Sequence, residues 1–219
     1  MAVDAGLEVE RELFAAGAVW VIGIDEVGRG AIAGPVAVGV AAVRAPVTAP
    51  PPGLRDSKLL SEKRRNAMIP EITAWVAAGA VGLATAIEVD AAGIMHALAL
   101  AAKRALADLH GLGVPVGDAT LLLDGSHDWL SPRLSAPLRI ITRVKADRDC
   151  ASVAAASVLA KVHRDTLMIE AASRFPAYGW EGNKGYGSAA HFAAIAEAGL
   201  TELHRSTWLP AAKATAVTA

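Results

Sequence analysis

Two adjacent carboxylates, Asp25 and Glu26, end the apolar run Val21-Ile22-Gly23-Ile24. Val27 and a glycine–arginine–glycine turn, Gly28-Arg29-Gly30, follow at once. Carboxylate oxygens at a strand end suit hard divalent cations. A cationic turn with little side-chain bulk lets a phosphate backbone come close. The pairing suggests metal-assisted phosphodiester chemistry. Two further strand-like runs end in acid: 120–123 before Asp124, and 138–144 before Lys145-Ala146-Asp147. In an open α/β sheet, active groups collect beyond the carboxyl ends of the strands. If the strands ending at Asp25 and Asp124 are parallel neighbours, their carboxylates lie within reach of one metal, and Asp147 could join them. Any one of these acids alone is an ordinary turn former, Asp124-Gly125 above all; the joint pattern points to a site. Like charges so close repel, so the cluster would need cations. Adjacent strand residues face opposite ways, so Asp25 and Glu26 can both ligate only if the chain twists or kinks, which Gly28 and Gly30 permit. The favoured mechanism is two-metal hydrolysis, with magnesium suited to oxygen-only ligands and manganese a substitute. His96, His110, His127, His163, His191 and His204 are scattered, suggest no zinc site, and read as surface or structural residues.

The cations gather where a substrate backbone could lie. Arg55, Lys58, Lys63, Arg64 and Arg65 are close in sequence, and Arg139, Arg143, Lys145 and Arg148 flank Asp147. Residues 63–65 read equally as a solvated helix face or as phosphate contacts. Ser157 and Lys161 stand four apart on one helical face, an alanine-lined surface that suits an anion. Gly185-Tyr186-Gly187 offers an aromatic ring for stacking on a sugar or base, whereas Tyr178 reads as packing.

These groups need a scaffold. The 219 residues are 53% hydrophobic and 20% charged with a net charge of −1, a globular chain with one substantial core. A near-neutral total gives no bulk sign of nucleic-acid binding, so any basic face must be local. Cys150, the sole cysteine, excludes an intrachain disulfide and reads as a small apolar residue. The acidic N-terminus lacks a signal pattern, and no apolar run reaches the roughly 18 residues that span a bilayer; a soluble cytoplasmic protein is expected. Patterning predicts strands over 18–24, 35–43, 80–88, 120–123 and 138–144. The first, apolar almost throughout, reads as a central strand covered on both faces, with the second as its hairpin partner. Helices are predicted over 7–16, 90–110, 152–168 and 189–198. A basic helix capped by Ser61 kinks or restarts at Pro70 and ends near Gly79. Residues 44–53 form an exposed proline-rich connection, 179–187 a glycine-rich loop, and the tail after Pro210 frays. The order suggests an α/β fold, a mixed sheet flanked by helices.

The run from Gly23 to Gly30, followed by Ala33-Gly34-Pro35-Val36, resembles the opening motif of the type 2 ribonucleases H (ribonuclease HII). So do Asp56-Ser57-Lys58 with Leu60-Ser61-Glu62-Lys63-Arg64-Arg65, Asp124-Gly125, Lys145-Ala146-Asp147, and 154–162 with Arg164-Asp165. Tyr178-Gly179, Lys184-Gly185-Tyr186-Gly187 and His204-Arg205-Ser206 complete a series in family order. The resemblance implies an RNase H-like mixed five-stranded sheet flanked by helices, with a catalytic core over 1–170 and a small helical C-terminal extension over 171–219. It implies endonucleolytic cleavage of the RNA strand of RNA–DNA hybrids, and nicking 5′ of single ribonucleotides embedded in duplex DNA. It further implies products with 5′-phosphate and 3′-hydroxyl ends, Mg2+ or Mn2+ as cofactor, and a role in ribonucleotide excision repair and DNA replication. Asp25, Glu26, Asp124 and Asp147 would be the catalytic, metal-holding carboxylates. Gly28, Arg29 and Gly30 would read the 2′-hydroxyl, which separates RNA from DNA. Tyr186 would contact the deoxyribose that follows, Lys58 would bind substrate, and Ser157 and Lys161 would support phosphate or active-site geometry. A monomer is expected. The tail shows no Gln-x-x-aliphatic-x-x-aromatic-aromatic box for a sliding clamp. Asn183, Leu59, Gly93 and Trp208 depart from a common histidine, lysine, asparagine and phenylalanine; they bear on loop conformation and affinity, not on the reaction class.

Three rivals are weaker. Residues 28–33 formally fit G-x-G-x-x-G/A, but Asp25 and Glu26 would repel a pyrophosphate and Pro35 falls in the required helix. A non-catalytic binder on the same scaffold should have lost acids, and all four are present. A resolvase or integrase gives no reason for the Gly-Arg-Gly and Gly-Tyr-Gly loops.

Overall fold

A computed structural model describes residues 4–209; the tail after Pro210, with the expectations of fraying and of no clamp box, lies outside them. The first half runs α1 (Glu8–Ala15), β1 (Trp20–Val27), β2 (Val36–Arg44), α2 (Glu62–Trp75), β3 (Ala78–Ala84), α3 (Ala86–Ala92) and α4 (Ile94–Gly111). The second runs β4 (Thr120–Asp124), β5 (Arg139–Arg143), α5 (Ala146–Asp149), α6 (Ala151–Arg174), α7 (Trp180–Asn183) and α8 (Ala189–Ala198). The five strands form one sheet in the order β3-β2-β1-β4-β5. The β1–β2 and β2–β3 pairs are antiparallel, while β1–β4 and β4–β5 are parallel. This is the expected mixed five-stranded sheet, with β1 at its centre.

Both faces of β1 are covered, which explains its unbroken apolar run. Ile22 and Ile24 join Val38, Val40, Leu121 and Leu123 against Leu98, Ala102 and Leu109 of α4. Val21 joins Ala41 and Leu122 against Val153, Ala154 and Val158 of α6. The alanines let α6 sit close, and the sheet yields to it: a Cβ on Gly23 would overlap the Ser152 backbone, and one on Gly39 the Ala156 carbonyl. The N-terminus of α6 is capped from a distance. Buried Glu10 accepts from Ser152 N–H at 2.8 Å and from its hydroxyl at 2.7 Å, supplying a carboxylate to unsatisfied helix donors. Cys150, just before α6, is buried, and burial pushes its thiol up to about 12. A thiol so protonated is unreactive.

Five local readings need correction. The third strand spans Ala78–Ala84, not 80–88, because Thr85 starts a helix: its hydroxyl accepts from Glu88 N–H, and Glu88 accepts from Thr85 N–H at 2.8 Å. That reciprocal cap outweighs the strand-like alternation of the next residues. The helix expected over 90–110 begins at Ala86 and breaks at Gly93, where φ is +77°. No new helix starts at Pro70: α2 runs through it from Glu62 and ends at Trp75, short of Gly79. The glycine-rich loop contains the single turn α7. The helix α6 runs to Arg174, past residue 170, and the C-terminal elements pack on its end through Met168, Ala172, Tyr178, Trp180 and Ile195.

Candidate active site

The parallel β1–β4 register pairs Ile24 with Leu123, so Asp25 and Asp124 are the next residues on neighbouring strands. Strand β5 pairs Asp124 with Arg143. The chain then turns through Lys145 at φ +62° into α5. The turn brings Asp147 back: its N–H donates to Asp124 Oδ1 at 3.3 Å. Glu26 lies beside Asp25 and Asp124, and Asp124 raises the cost of charge on Asp25, Glu26 and Asp147 alike. Two strands, β1 and β4, together with α5 thus deliver four acids to one place. The positive φ comes after Glu26, at Gly28 (+82°).

Burial sets the electrostatics. Asp25 is pushed up to about 8, first by desolvation, then by Glu26. Its Oδ1 accepts from Glu26 N–H at 2.8 Å, while its Oδ2 is buried without a hydrogen-bond partner. Desolvation also raises Glu26 and Asp147, opposed at Glu26 by Arg29, 3.4 Å away. Lys58 stands across the cluster, 3.3 Å from Asp147 and 3.6 Å from Asp56. Burial works against its charge, yet Asp25, Asp56 and Asp147 hold its ammonium above the ordinary lysine range. One exposed ammonium and one exposed guanidinium leave the acids short of positive charge.

A hard cation fits this deficit. The donors are oxygens throughout, and Asp25 Oδ2 is buried without a hydrogen-bond partner. Among the described residues no three His, Cys, Asp or Glu side chains are arranged, as they stand, to hold a metal ion by themselves. Magnesium is commonly held through one or two carboxylates and completed by water and phosphate oxygens.

The remaining expected site residues surround the acids. A Cβ on Gly28 would overlap the Arg164 side chain, whereas Gly30 faces open space. Arg29 is exposed. The Ser157 hydroxyl is buried, 2.8 Å from that of Ser57, and restrains the charge cost of Asp25. Lys161, a turn further along α6, is held by Asp165 at 2.8 Å. Arg65, one of the ambiguous cations, donates to the carbonyls of Ser57 and Leu60 and so braces the turn that carries Lys58. Arg64 pairs with Glu71 at 2.8 Å.

Tyr186 is 40% exposed, and its ring lies 5.5 Å from the Arg164 guanidinium. Its loop is tied down on several sides. The Asn183 amide donates to Tyr178 O at 2.7 Å and accepts from Gly185 N–H at 2.8 Å, so this departure from the common histidine still clasps the loop. His191 Nδ1 donates to the Tyr186 carbonyl at 2.9 Å. A carbonyl only accepts, so His191 Nε2 is the acceptor for Trp180 Nε1–H at 3.0 Å and for His204 Nε2–H at 3.2 Å. His204 Nδ1 in turn accepts from Thr201 N–H at 2.9 Å. His191 and His204 are therefore structural, as expected, and Tyr178 packs on Trp180 with ring centroids 5.1 Å apart. Asp56, Ser57, Arg164 and Arg205 touch the site without having been singled out. Their short motifs were visible, but their partners lie far along the chain.

A mixed sheet of this strand order, with acids at the carboxyl ends of its parallel centre, is that of a ribonuclease H-like nuclease. The family profile described as Ribonuclease HII matches residues 22–211. The ribonuclease HII of Streptomyces avermitilis is 47% identical over 201 residues, covering 91% of this chain and 82% of that protein. The ribonuclease HII of a Jannaschia species is 46% identical over 206 residues, covering 94% and 96%. A solved structure of the PCNA:RNase HII complex from Archaeoglobus fulgidus superposes with a TM-score of 0.66 at 26% identity, covering 86% of this chain and 93% of that one. The chain belongs to the ribonuclease HII family, endonucleolytic ribonucleases H that cleave RNA in RNA–DNA hybrids. No helix among the described residues is long and apolar enough to cross a membrane.

Proposed function

We propose that this ribonuclease also nicks duplex DNA 5′ of a single embedded ribonucleotide, leaving 5′-phosphate and 3′-hydroxyl ends, and depends on Mg2+ or Mn2+. The observation that carries the reading is the joining of Asp25, Glu26, Asp124 and Asp147 beside the Gly28–Gly30 loop, with one buried Asp25 oxygen left without a partner. These four acids would hold the divalent ions. Bound there, such ions supply a water of lowered pKa and charge neutralisation at the departing oxygen.

The protein's own groups then bind and orient. The open side of Gly30 admits a sugar-phosphate backbone, and main-chain groups of the 28–30 turn read the 2′-hydroxyl. Lys58 and Arg29 place positive charge beside the scissile phosphate. Ser157 supports Asp25 from behind, and Lys161 braces the same helix through Asp165. Tyr186 lies against the deoxyribose following the ribonucleotide, so the two loops together recognise the junction. The test is a duplex carrying one ribonucleotide. A nick on its 5′ side in magnesium, abolished by EDTA, is the expected result; an intact duplex in magnesium would overturn the reading.

A further inference from the structure

Arg164 on α6 and Arg205 after α8 are fully buried, and neither belongs to the carboxylate cluster. Arg205 donates to Gly28 O at 2.8 Å, Arg29 O at 3.0 Å and Gly34 O at 3.1 Å. Arg164 donates to Pro35 O at 2.8 Å, Ala33 O at 3.0 Å and Lys184 O at 2.9 Å. One guanidinium thus draws together the two ends of the 28–35 loop. The other bridges the end of that loop to the 184–186 loop while lying under the Tyr186 ring. Among the described residues, neither is within ion-pair distance of a carboxylate, so two like charges are buried close together against carbonyl dipoles. Burial and the neighbouring Arg164 bring Arg205 down to about 10. Such burial is costly. What it provides is a planar fork of fixed donors that spans several carbonyls at once, which no other side chain offers.

The two loops also meet directly. Ile32 N–H and Ala33 N–H donate to Gly185 O at 2.9 and 3.0 Å, and Arg205 N–H donates to Ile32 O at 2.8 Å. A Cβ on Gly185 would overlap the Ala33 carbonyl.

We propose that Arg164 and Arg205 are positioning residues for substrate discrimination: they clamp the 28–35 and 184–186 loops into one jaw, fixing the spacing between the turn that reads a ribose and the ring that reads the next sugar. This deepens the assignment of those loops made above and rests on it. In a long hybrid a ribose follows at every step, so the spacing carries little information. At a lone ribonucleotide the spacing decides recognition.

Arg164→Lys and Arg205→Lys keep the charge and lose the fork. Each variant is assayed for kcat and KM on a single-ribonucleotide duplex and on a long hybrid at one salt concentration. The ratio of the two kcat/KM values is expected to fall about tenfold or more, as small displacements of positioning groups do. The double variant should fall no further than the worse single one, because both residues hold the same unit. Equal losses on the two substrates, or additive losses in the double variant, would overturn the proposal. Where a lysine variant fails to melt cooperatively, Gly185→Ala wedges the same joint with both arginines in place; the same selective loss is expected, and an unchanged ratio overturns the clamp. Wild-type protein that leaves the single-ribonucleotide duplex intact while cutting the hybrid overturns the loop assignment itself, before any variant is compared.

Discussion

Asp25 combines burial, a neighbouring carboxylate on its own strand and another on the next, and an oxygen with no partner. Such a group stabilises nothing until a cation arrives. Magnesium is therefore expected to raise the melting temperature of the wild-type protein by mass action, and not that of Asp25→Asn; equal shifts in a thermal melt would remove Asp25 from the ion site. Asp25→Asn and Asp124→Asn should each lower cleavage by about a thousandfold, the scale of losing a charge-stabilising group, with circular dichroism unchanged. Tyr186→Ala should weaken single-ribonucleotide incision more than hybrid cleavage, measured as the ratio of initial rates; an equal loss would take the ring out of junction sensing. Asp25, Glu26, Asp124 and Asp147 were legible because each ends a run whose pattern announces a strand. The roles of Glu10, Arg164 and Arg205 were not, since their partners lie in segments distant along the chain.

At the scale of elements, α6 carries the most. It covers β1 and β2, backs Asp25 with Ser157, and holds both loops through Arg164. Its close approach depends on glycines in the strands beneath it. Gly23→Ala should cost about 3 kcal/mol by overpacking, read from urea unfolding; a loss below about 1 kcal/mol would mean that the helix shifts freely. Helix and strand periodicity predicted the sheet and its flanking helices. The misread boundaries lie where side chains compete with periodicity, at the Thr85–Glu88 cap and at Gly93. Propensity is a weak prior beside such local bonds.

Across the whole molecule, the C-terminal elements are tied to one another by a neutral histidine pair, and neutrality has a pH limit. Burial, then His191, lowers His204 from 6.5 to about 4. Between those values the unfolded chain binds the proton that the folded chain refuses. Stability is thus complete above about pH 6.5 and declines as the pH falls toward 4, by at most about 1.4 kcal/mol per pH unit for each proton. Melting temperatures recorded across that window should fall for the wild type and fall less steeply for His204→Asn; parallel curves would assign the acid sensitivity elsewhere. The sealed interior has a practical side as well. With its one thiol buried beside α6, the described surface is blank to maleimides. A cysteine introduced at Arg139, on the exposed edge strand, would be a single address for a dye, and the approach of a labelled duplex could be followed by energy transfer without first removing the native cysteine.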